Sequence, residues 1–567
     1  MKKYCISNLL NVLLLLLSLC IFSCNQEKTL PTPKQVASLP VAIQSSVPAL
    51  PANAEQGAML HAHTWRFRDI EAAIPGIAAA GFNSVQVSPV NKTKRATPWW
   101  ILYQPCDLNI GNMVLGTEAE FRSMCNVAEQ NGVKIIVDAV LNHVANNDTP
   151  SAWANELDPA LKNRSYYHWQ GGINNYQNRW ELTQADLLGL PDWNTQSSVV
   201  QQLHIDFLNK CIAAGADGFR FDAAKHMETS GGEDQSWAGN YWENVLGNLN
   251  NRNNLYLFGE VLPDIADNEQ QYLQYFDITA HGYGRVLRDA VWNNNVTNIA
   301  RIPHGGSALA PNQSLVYVEN HDDYHDGSST GLSPWQRKMG YAIAAARAGV
   351  TPRLLDRPGN EDVWKDADVA KINHFHNAMV GQNEYLRFPR QQTLVVDRGT
   401  IGTAIINLGD GFSINTATNL ADGSYGNFTV SGGTLTGQVP GGAVVTLYNG
   451  SGSGSGGGGN GGGNGGGGSG GGGSGGGGSG NPTTTIYVHY DAGWGNSLFI
   501  RGDTSPLSWG SGIQLQNVDA NTWVWTTTDI PQGQKFECKV LINDQQWATN
   551  SNWWVYGGDT IDIYPNF

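Results

Sequence analysis

A run of glycine, serine and asparagine from Gly450 to Gly480 divides this chain. Such a segment has no apolar side chains with which to build a core, so it behaves as a flexible coil. A coil of this length spans on the order of 30 Å. The chain is therefore expected to fold as two independent parts, one on each side of a linker over residues 450–482.

Before the linker, short apolar runs alternate with amphipathic segments such as 118–131 and 197–214. The runs are typical of buried parallel strands, and the segments between them are typical of helices. Repeated strand–helix alternation of this kind predicts an α/β fold, a (β/α)8 TIM barrel over residues 55–391. The six apolar runs are Ala58–Trp65, Ser84–Val90, Val133–Val140, Gly218–Ala223, Leu255–Leu262 and Leu315–Glu319.

Three further regions have their own patterns. Residues 144–196, rich in Asn and Trp, form an insert that is long for a strand-to-helix connection, and barrels carry function in such inserts. Residues 392–449 contain short strands with Gly and Asn turns, which predicts an all-β domain. Residues 483–567 alternate like strands and contain seven Trp, which predicts a tethered β-sandwich module.

The N-terminal segment is typical of an export signal. A basic start at Lys2 and Lys3 precedes an apolar run to Phe22, and Ser23 and Cys24 follow. This end resembles a bacterial lipobox, with cleavage before Cys24 and lipid attached to it. A plain secretory signal is the alternative. Residues 24–54 are expected to be a tether, which would anchor the protein at the bacterial cell surface; a secreted or periplasmic protein is the alternative.

Composition argues against some classes of binding partner and is compatible with others. The net charge of -15 argues against binding to nucleic acid or to anionic membrane surfaces. The 19 Trp and 20 Tyr suit stacking on sugar rings, although core packing explains aromatic residues equally well. Four scattered cysteines beyond the N-terminal segment allow one disulfide bridge but no disulfide framework; they are Cys106, Cys125, Cys211 and Cys538.

The segment from Asp217 to His226 begins as a buried strand and ends as a polar loop. Asp222 follows Arg220 by two residues, and a neighbouring cation favours the ionised carboxylate. An ionised aspartate at a strand end suits a nucleophile. A structural Arg–Asp pair is the alternative.

Other polar residues also follow predicted barrel strands. Because the carboxyl ends of barrel strands meet on one face, we expect their side chains to converge there. Several acids beside a sugar-sized cleft fit glycoside hydrolysis, in which one carboxyl group attacks and another donates a proton. The strand-end residues are Asp138, Asn142, His143, Arg220, Asp222, Glu260, His321 and Asp322.

Four segments in this order resemble the conserved regions of the α-amylase family of glycoside hydrolases: Asp138–His143, Gly218–His226, Gly259–Leu262 and Glu319–Asp322. Two more, Leu102–Pro105 and Leu188–Thr195, are most similar to the saccharifying α-amylases of Bacillus. The similarity covers about residues 55–448.

The resemblance implies roles for three acids. Asp222 would be the nucleophile, Glu260 the general acid/base and Asp322 the acid that stabilises the transition state. Because the family retains configuration, the carboxyl groups of Asp222 and Glu260 are expected about 5–5.5 Å apart. The apolar neighbours Phe258 and Val261 predict a raised pKa for Glu260, whereas Arg220 is expected to keep Asp222 ionised.

The resemblance also implies substrate contacts. His143 and His321 would bind sugar hydroxyls and Tyr103 would stack on the same sugar; core histidines and a Trp99 or Trp100 packed in the core are the alternatives. Lys225 would contact the leaving-group side unless it is a solvated surface lysine. The predicted substrate-binding residues are Trp100, Tyr103, Gln104, His143, Arg220, Lys225 and His321.

A structural Ca²⁺ is implied in the same way, because its preferred ligands are oxygen atoms. The implied ligands are Asn142, the carbonyl of Thr183, Asp192 and the carbonyl of His226. A plain hydrogen-bonded Asn–Asp contact is the alternative. No chloride site is predicted.

The module after the linker resembles starch-binding sandwiches through 505–510 and 546–548. Trp509 and Trp547 would form its binding pair, with Trp553 and Trp554 as further candidates. Trp523 and Trp525, which alternate with Val524, are expected in the core.

These observations predict an endo-acting, monomeric enzyme that cuts α-1,4 bonds in starch, amylose and maltooligosaccharides. An exo-acting or transglycosylating enzyme on the same barrel is one alternative, since the fold and the three acids would be shared. A non-catalytic surface starch-binding protein is the other, and it would not require the three acids.

Overall fold

The computed structural model describes residues 49–263, 269–305, 307–359, 362–448 and, with short gaps, 483–567. The predicted signal, the lipid attachment at Cys24 and the linker lie outside the described residues. The chain divides into two compact units, residues 1–461 and 462–567, which are described separately. None of the described helices combines the length and apolar character needed to cross a membrane.

Eight parallel strands close into a barrel in the first unit, which confirms the predicted (β/α)8 fold. Each strand pairs with the next along the chain, and the last pairs with the first. The strands are β1 (Ala58–Ala62), β2 (Phe82–Val87), β3 (Lys134–Val140), β4 (Gly218–Asp222), β5 (Tyr256–Gly259), β6 (Asp277–Thr279), β7 (Ser314–Tyr317) and β8 (Thr351–Leu355).

Two of these strands, β6 and β8, were not predicted from the sequence. The three residues of β6 are too few for a recognisable apolar run. Strand β8 contains Pro352 and Arg353, residues that are unusual in a buried strand. Both are strands because parallel neighbours hold them on each side.

The barrel interior has an apolar part and a polar part. Seven buried apolar residues pack together inside it: Ala54, Met59, Ile136, Tyr256, Phe258, Leu315 and Tyr317. Buried polar side chains lie on β2, β3, β4 and β8, among them Gln86, Asp138, Arg220 and Arg353. Asp138 on β3 is directly paired with Arg220 on β4. The barrel thus brings buried charges together towards the carboxyl ends of its strands.

Helices surround the barrel, and several begin at clear capping residues. Thr117 and Glu120 form a capping box at the start of one helix, and Ser333 and Gln336 form another before Pro334. The α-helices are Phe67–Ala79, Glu118–Gln130, Arg179–Gln184, Ser198–Ala213, Tyr241–Gly247, Glu269–Tyr272, His281–Asn293, His321–His325, Pro334–Ala346 and Ala367–Ala378.

The insert between β3 and β4 has a small core of its own. Val144, Leu157, Tyr167 and Trp193 are buried together in it. Its regular structure is short: 3₁₀ turns at Pro159–Leu161, Arg164–Tyr166 and Leu187–Gly189 accompany the helix Arg179–Gln184.

Two four-stranded antiparallel sheets follow the barrel. Alternate residues of the first sheet face opposite ways: Leu394 and Val396 join the large barrel core, whereas Val395 and Ile405 pack with the second sheet. The first sheet contains Glu384–Arg390, Thr393–Arg398, Gly402–Asn407 and Val444–Tyr448, and the second contains Phe412–Ala417, Thr434–Val439, Phe428–Ser431 and Gly423–Tyr425.

The second unit contains two further sheets that share one apolar core. Trp523 and Trp525 are buried in this core, as their alternation predicted. One sheet contains Gln516–Asp519, Thr522–Thr527, Thr484–His489 and Thr560–Ile563; the other contains Ile513–Gln514, Leu498–Gly502, Lys535–Ile542, Gln546–Trp547 and Trp553–Tyr556.

The four cysteines of the described residues are buried and free. The disulfide that the sequence allowed therefore does not form among Cys106, Cys125, Cys211 and Cys538. Burial raises the pKa of the Cys106 and Cys538 thiols to about 12, so these side chains act as small apolar groups.

Candidate active site

One arginine holds three carboxylates together at the carboxyl ends of β3, β4 and β5. Arg220 Nη1 lies 2.6 Å from Asp138 Oδ1 and 2.7 Å from Asp222 Oδ1. Its Nη2 lies 2.8 Å from Glu260 Oε2. The guanidinium is buried, so these contacts are little screened by solvent. The pairing of Arg220 with Asp222 was predicted, but its sharing with Asp138 and Glu260 was not.

Backbone constraints set the position of Glu260. Its N–H donates to the carbonyl of Phe221 at 2.9 Å, which continues the pairing of β4 with β5. A Cβ on Gly259 would lie 2.3 Å from the ring of Phe276, so only glycine fits directly before Glu260. Ala223 N–H donates to Glu260 Oε2 at 3.0 Å and fixes the carboxylate from the other side.

The charge distribution in this cluster contradicts the expected one. The pKa of Glu260 is lowered, because Arg220 and the Ala223 N–H together outweigh its burial. The pKa of Asp222 is raised well above its usual range, because burial and the nearby Glu260 and Asp138 outweigh Arg220. The predicted raised pKa of Glu260 is therefore wrong in this structure. Its apolar neighbours along the chain do not surround its carboxylate, which faces Arg220.

Asp322 follows β7 and is more accessible than the other acids. It lies in a short helix, His321–His325, that starts at a capping box formed by Asn320 and Asp323. Its side chain is 48% exposed, so solvent or a ligand can reach it. Partial desolvation and the nearby Glu260 raise its pKa to about 7.

Aromatic and histidine side chains line the same region. The rings of Tyr103 and His321 are stacked, with centroids 4.9 Å apart and planes within 4°. Tyr103 donates its hydroxyl to Asp138 at 3.0 Å. His143 donates from Nε2 to the Tyr103 carbonyl at 2.9 Å, and its Nδ1 lies 3.4 Å from the Asn142 amide nitrogen. Burial lowers the pKa of His143 to about 4, so this ring is neutral.

The other predicted substrate residues differ in exposure. Trp100 is 39% exposed, whereas the neighbouring Trp99 is half-buried. Lys225 is buried, which excludes a solvated surface lysine. Gln104 is also buried, and its Oε1 has no hydrogen-bond partner among the residues that the structure describes.

Comparison with known proteins identifies this barrel. A family model described as "Alpha amylase, catalytic domain" matches residues 69–281. The chain contains an α-amylase family catalytic domain. The matched residues include Arg220, Asp222 and Glu260, so the matched domain contains the buried cluster.

Two relatives of this domain are named α-amylases. An α-amylase of Clostridium acetobutylicum is 47% identical over 421 residues, which is 70% of this chain and 55% of that protein. One of Butyrivibrio fibrisolvens is 33% identical over 69% of this chain and 47% of its own length. The chain thus spans about half the length of these two relatives. The structure of α-amylase I of Eisenia fetida, 24% identical, covers 72% of this chain and 100% of its own with a TM-score of 0.59, which shows a shared fold.

The predicted calcium ligands of the amylase domain form two neighbouring pairs. Trp193 N–H donates to the Asn142 carbonyl at 3.0 Å, which places Asp192 beside Asn142. His226 donates from Nδ1 to the carbonyl of Leu182, next to Thr183, at 3.0 Å.

Two of these groups already have partners: Asp192 Oδ2 pairs with His168 Nδ1 at 2.6 Å, and the Thr183 carbonyl accepts from Gln184 at 2.8 Å. Among the described residues no group of three or more His, Cys, Asp or Glu side chains could hold a metal. The predicted site contains only one carboxylate and does not depend on such a group.

In the module after the linker, Trp509 and Trp547 are brought together. Their ring centroids are 6.3 Å apart, and both rings are more than a third exposed. Arg501 supports the pair: its guanidinium lies 5.1 Å from the Trp547 ring and donates to the Trp509 carbonyl at 3.0 Å. Trp553 instead packs against the module core, and Trp554 lies under Lys535 at 4.1 Å.

Several residues around the amylase site were not identified from the sequence. Gln86 donates to Asp138 at 3.2 Å and accepts from Arg353 at 2.7 Å. In the sequence, Gln86 and Arg353 could have been recognised as polar residues inside the strands β2 and β8. His63 and His325 meet at 3.0 Å, but they are 262 residues apart, so no local pattern could have joined them.

Replacing Arg220 by methionine is expected to destabilise the fold, because three buried carboxylates would lose their shared cation. The free energy of unfolding should fall by about 3–5 kcal/mol at pH 8. The loss should be smaller at pH 5. Without Arg220 the carboxyl groups of the folded variant have raised pKa values, so they keep protons at a pH where the unfolded chain has released them. The stability of the variant therefore falls as pH rises. Urea unfolding at both pH values measures this.

Arg68→Met is the matched control, because Arg68 is 60% exposed in its side chain and its ion pair with Asp69 is 3.8 Å long. It should change stability by about 0.5 kcal/mol or less. Equal stability of the Arg220→Met variant and the parent at both pH values would show that Arg220 does not compensate the carboxylates.

Proposed function

We propose that the protein is an α-amylase that hydrolyses internal α-1,4-glucosidic bonds of starch and related glucans with retention of configuration. The observation that carries the proposal is the cluster of Asp222, Glu260 and Asp322 at the strand ends of an α-amylase family barrel. The relatives' names support it, and a variant of the Eisenia enzyme was crystallised with maltohexaose. The resemblance to the saccharifying Bacillus type belongs to the same proposal.

In the proposed mechanism Asp222 attacks the anomeric carbon while Glu260 protonates the departing glycosidic oxygen. Arg220 binds Asp222 Oδ1, so the attack would use the other oxygen. Water then releases the sugar from Asp222, and Glu260 takes the proton of that water. Asp322, the most accessible of the three acids, would stabilise the developing positive charge, and Tyr103 with His321 would hold the sugar ring.

An exo-acting or transglycosylating enzyme would use the same three acids. Product sizes from amylose and from an end-blocked maltooligosaccharide distinguish it from an endo-acting enzyme. A non-catalytic starch-binding protein is disfavoured, because binding alone does not require Asp222, Glu260 and Asp322 together.

Asp222→Asn and Glu260→Gln are each expected to lower kcat on soluble starch by roughly 10²–10⁴-fold or more, because each removes a reacting group. Asp322→Asn should also lower kcat. Asp289→Asn, at an exposed position on the helix His281–Asn293, is the matched control and should retain parent activity. Near-parent activity of either the Asp222 or the Glu260 variant would exclude its assigned role.

We also propose that Ca²⁺ is bound by Asn142, Asp192 and the carbonyls of Thr183 and His226. All four residues are buried and offer oxygen atoms, including one carboxylate, which suits this hard cation. The ion would join the insert, through Asp192 and Thr183, to the barrel side, through Asn142 and His226. Its role would be structural.

Calcium removal by EDTA is expected to lower the thermal unfolding midpoint by about 5 °C or more, since an ion that binds only the folded state stabilises it. Asp192→Asn should lower the midpoint and make it insensitive to EDTA, whereas Asp289→Asn should behave like the parent. An unfolding midpoint of the parent that is unchanged by EDTA would contradict the proposal.

The second unit is proposed to bind starch through the exposed pair Trp509 and Trp547. Two neighbouring exposed rings offer a surface on which sugar rings stack. The linker would keep the catalytic domain at high effective concentration on the polymer. Trp554, also exposed, would add a separate contact. Trp553 would contribute only the part of its ring that is exposed.

Trp547→Ala in the full chain is expected to weaken binding to insoluble starch by about tenfold, with soluble-starch kcat unchanged. Trp292→Ala removes an exposed Trp from the barrel unit and should leave starch binding unchanged. Cosedimentation with starch granules measures both. Equal binding by the Trp547 variant and the parent would exclude this site.

We further propose a monomer attached to the cell surface by lipid on Cys24. The resemblance of residues 21–24 to a lipobox supports this, and so does the substrate, because starch is too large to enter a periplasm freely.

A further inference from the structure

Two histidines from distant parts of the barrel meet beside the three acids. His63 directly follows β1 by one residue, and His325 ends the short helix that carries Asp322. Their Nε2 atoms are 3.0 Å apart. One ring must donate and the other accept, so the contact requires opposite protonation at the two facing nitrogens. Because His63 is buried, this pair connects β1 rigidly to the helix after β7.

The same helix stacks twice on one neighbouring segment. His325 lies on Trp99 with ring centroids 4.1 Å apart and planes within 9°. Four residues earlier in the chain, His321 lies on Tyr103 at 4.9 Å. Trp99 and Tyr103 are the two ends of the 3₁₀ helix Trp99–Tyr103. Two parallel stacks therefore lock the helix His321–His325 against this segment.

Each of the two locked segments carries one exposed side chain. The helix carries Asp322, which is 48% exposed in its side chain. The 3₁₀ segment carries Trp100, which is 39% exposed and directly follows Trp99. Since the outer stack of Trp99 on His325 lies between these two segments, its spacing fixes the distance from Trp100 to Asp322. His63 braces that stack from the barrel side.

We propose that His63 and His325 are positioning residues that, through Trp99, hold Trp100 at a fixed distance from Asp322 and thereby set how the sugar next to the cleaved bond is bound. The inference rests on the proposed glucan hydrolysis. It assigns to the two histidines control of substrate affinity and of the cleavage position, and no step of the bond-breaking chemistry.

The test compares full-chain variants on end-blocked maltoheptaose. His325→Ala removes both the stack and the hydrogen bond, so KM should rise about fivefold with kcat within about twofold of the parent, and the main cleavage position should shift. His325→Phe keeps a ring on Trp99 and should raise KM less. His63→Phe removes only the hydrogen bond to His325 and should raise KM about as much as His325→Phe does. His374→Ala, on the helix Ala367–Ala378, is the control and should match the parent.

Parent KM and cleavage position in a folded His325→Ala variant would overturn the proposal. Should that variant fail to fold, parent values in both His325→Phe and His63→Phe would overturn it equally. If the parent itself does not cleave end-blocked maltoheptaose, endo-acting glucan hydrolysis is excluded. Calorimetry of maltoheptaose binding then tests the positioning role of the two histidines. Weaker binding by the His325 variants than by the parent supports that role, and equal binding refutes it.

Discussion

Arg220 lies inside the barrel with its guanidinium against oxygens of Asp138, Asp222 and Glu260. One positive charge cannot neutralise three buried negative charges, and an uncompensated buried charge is costly. Burial accordingly raises the pKa of Asp222 and of Asp138, whereas Arg220 and the Ala223 N–H lower that of Glu260. The positions and the charges of the reacting groups both depend on this one guanidinium.

A second buried arginine supports the first from deeper in the barrel. Arg353 donates to Gln86 at 2.7 Å, and Gln86 donates in turn to Asp138. Tyr103 also donates to Oδ2 of Asp138, and Arg220 donates to Oδ1, so both oxygens of that carboxylate are occupied. Asp138 is thus a fixed anchor for Arg220. This network explains why polar residues occupy buried strands of the barrel.

The sequence predicted those parts of the molecule that local patterns encode. Apolar runs indicated six barrel strands, and polar residues at their ends indicated that Asp222 and Glu260 would converge. What it missed depends on contacts between distant segments. Phe258 and Val261 flank Glu260 along the chain and suggested an apolar environment, but the carboxylate faces Arg220 on the next strand. The strand β8 likewise exists only through pairing with its neighbours, despite Pro352.

The proposed chemistry requires a proton on Glu260 and a charge on Asp222, whereas in the free protein the pKa of Glu260 is lowered and that of Asp222 is raised. Glu260 can serve as the acid only if glucan binding weakens its contact with Arg220, the interaction that lowers its pKa. Arg220 then has fewer anions to compensate, so the pKa of Asp222 falls. Glucan binding would therefore move the two pKa values in the directions that the first step requires.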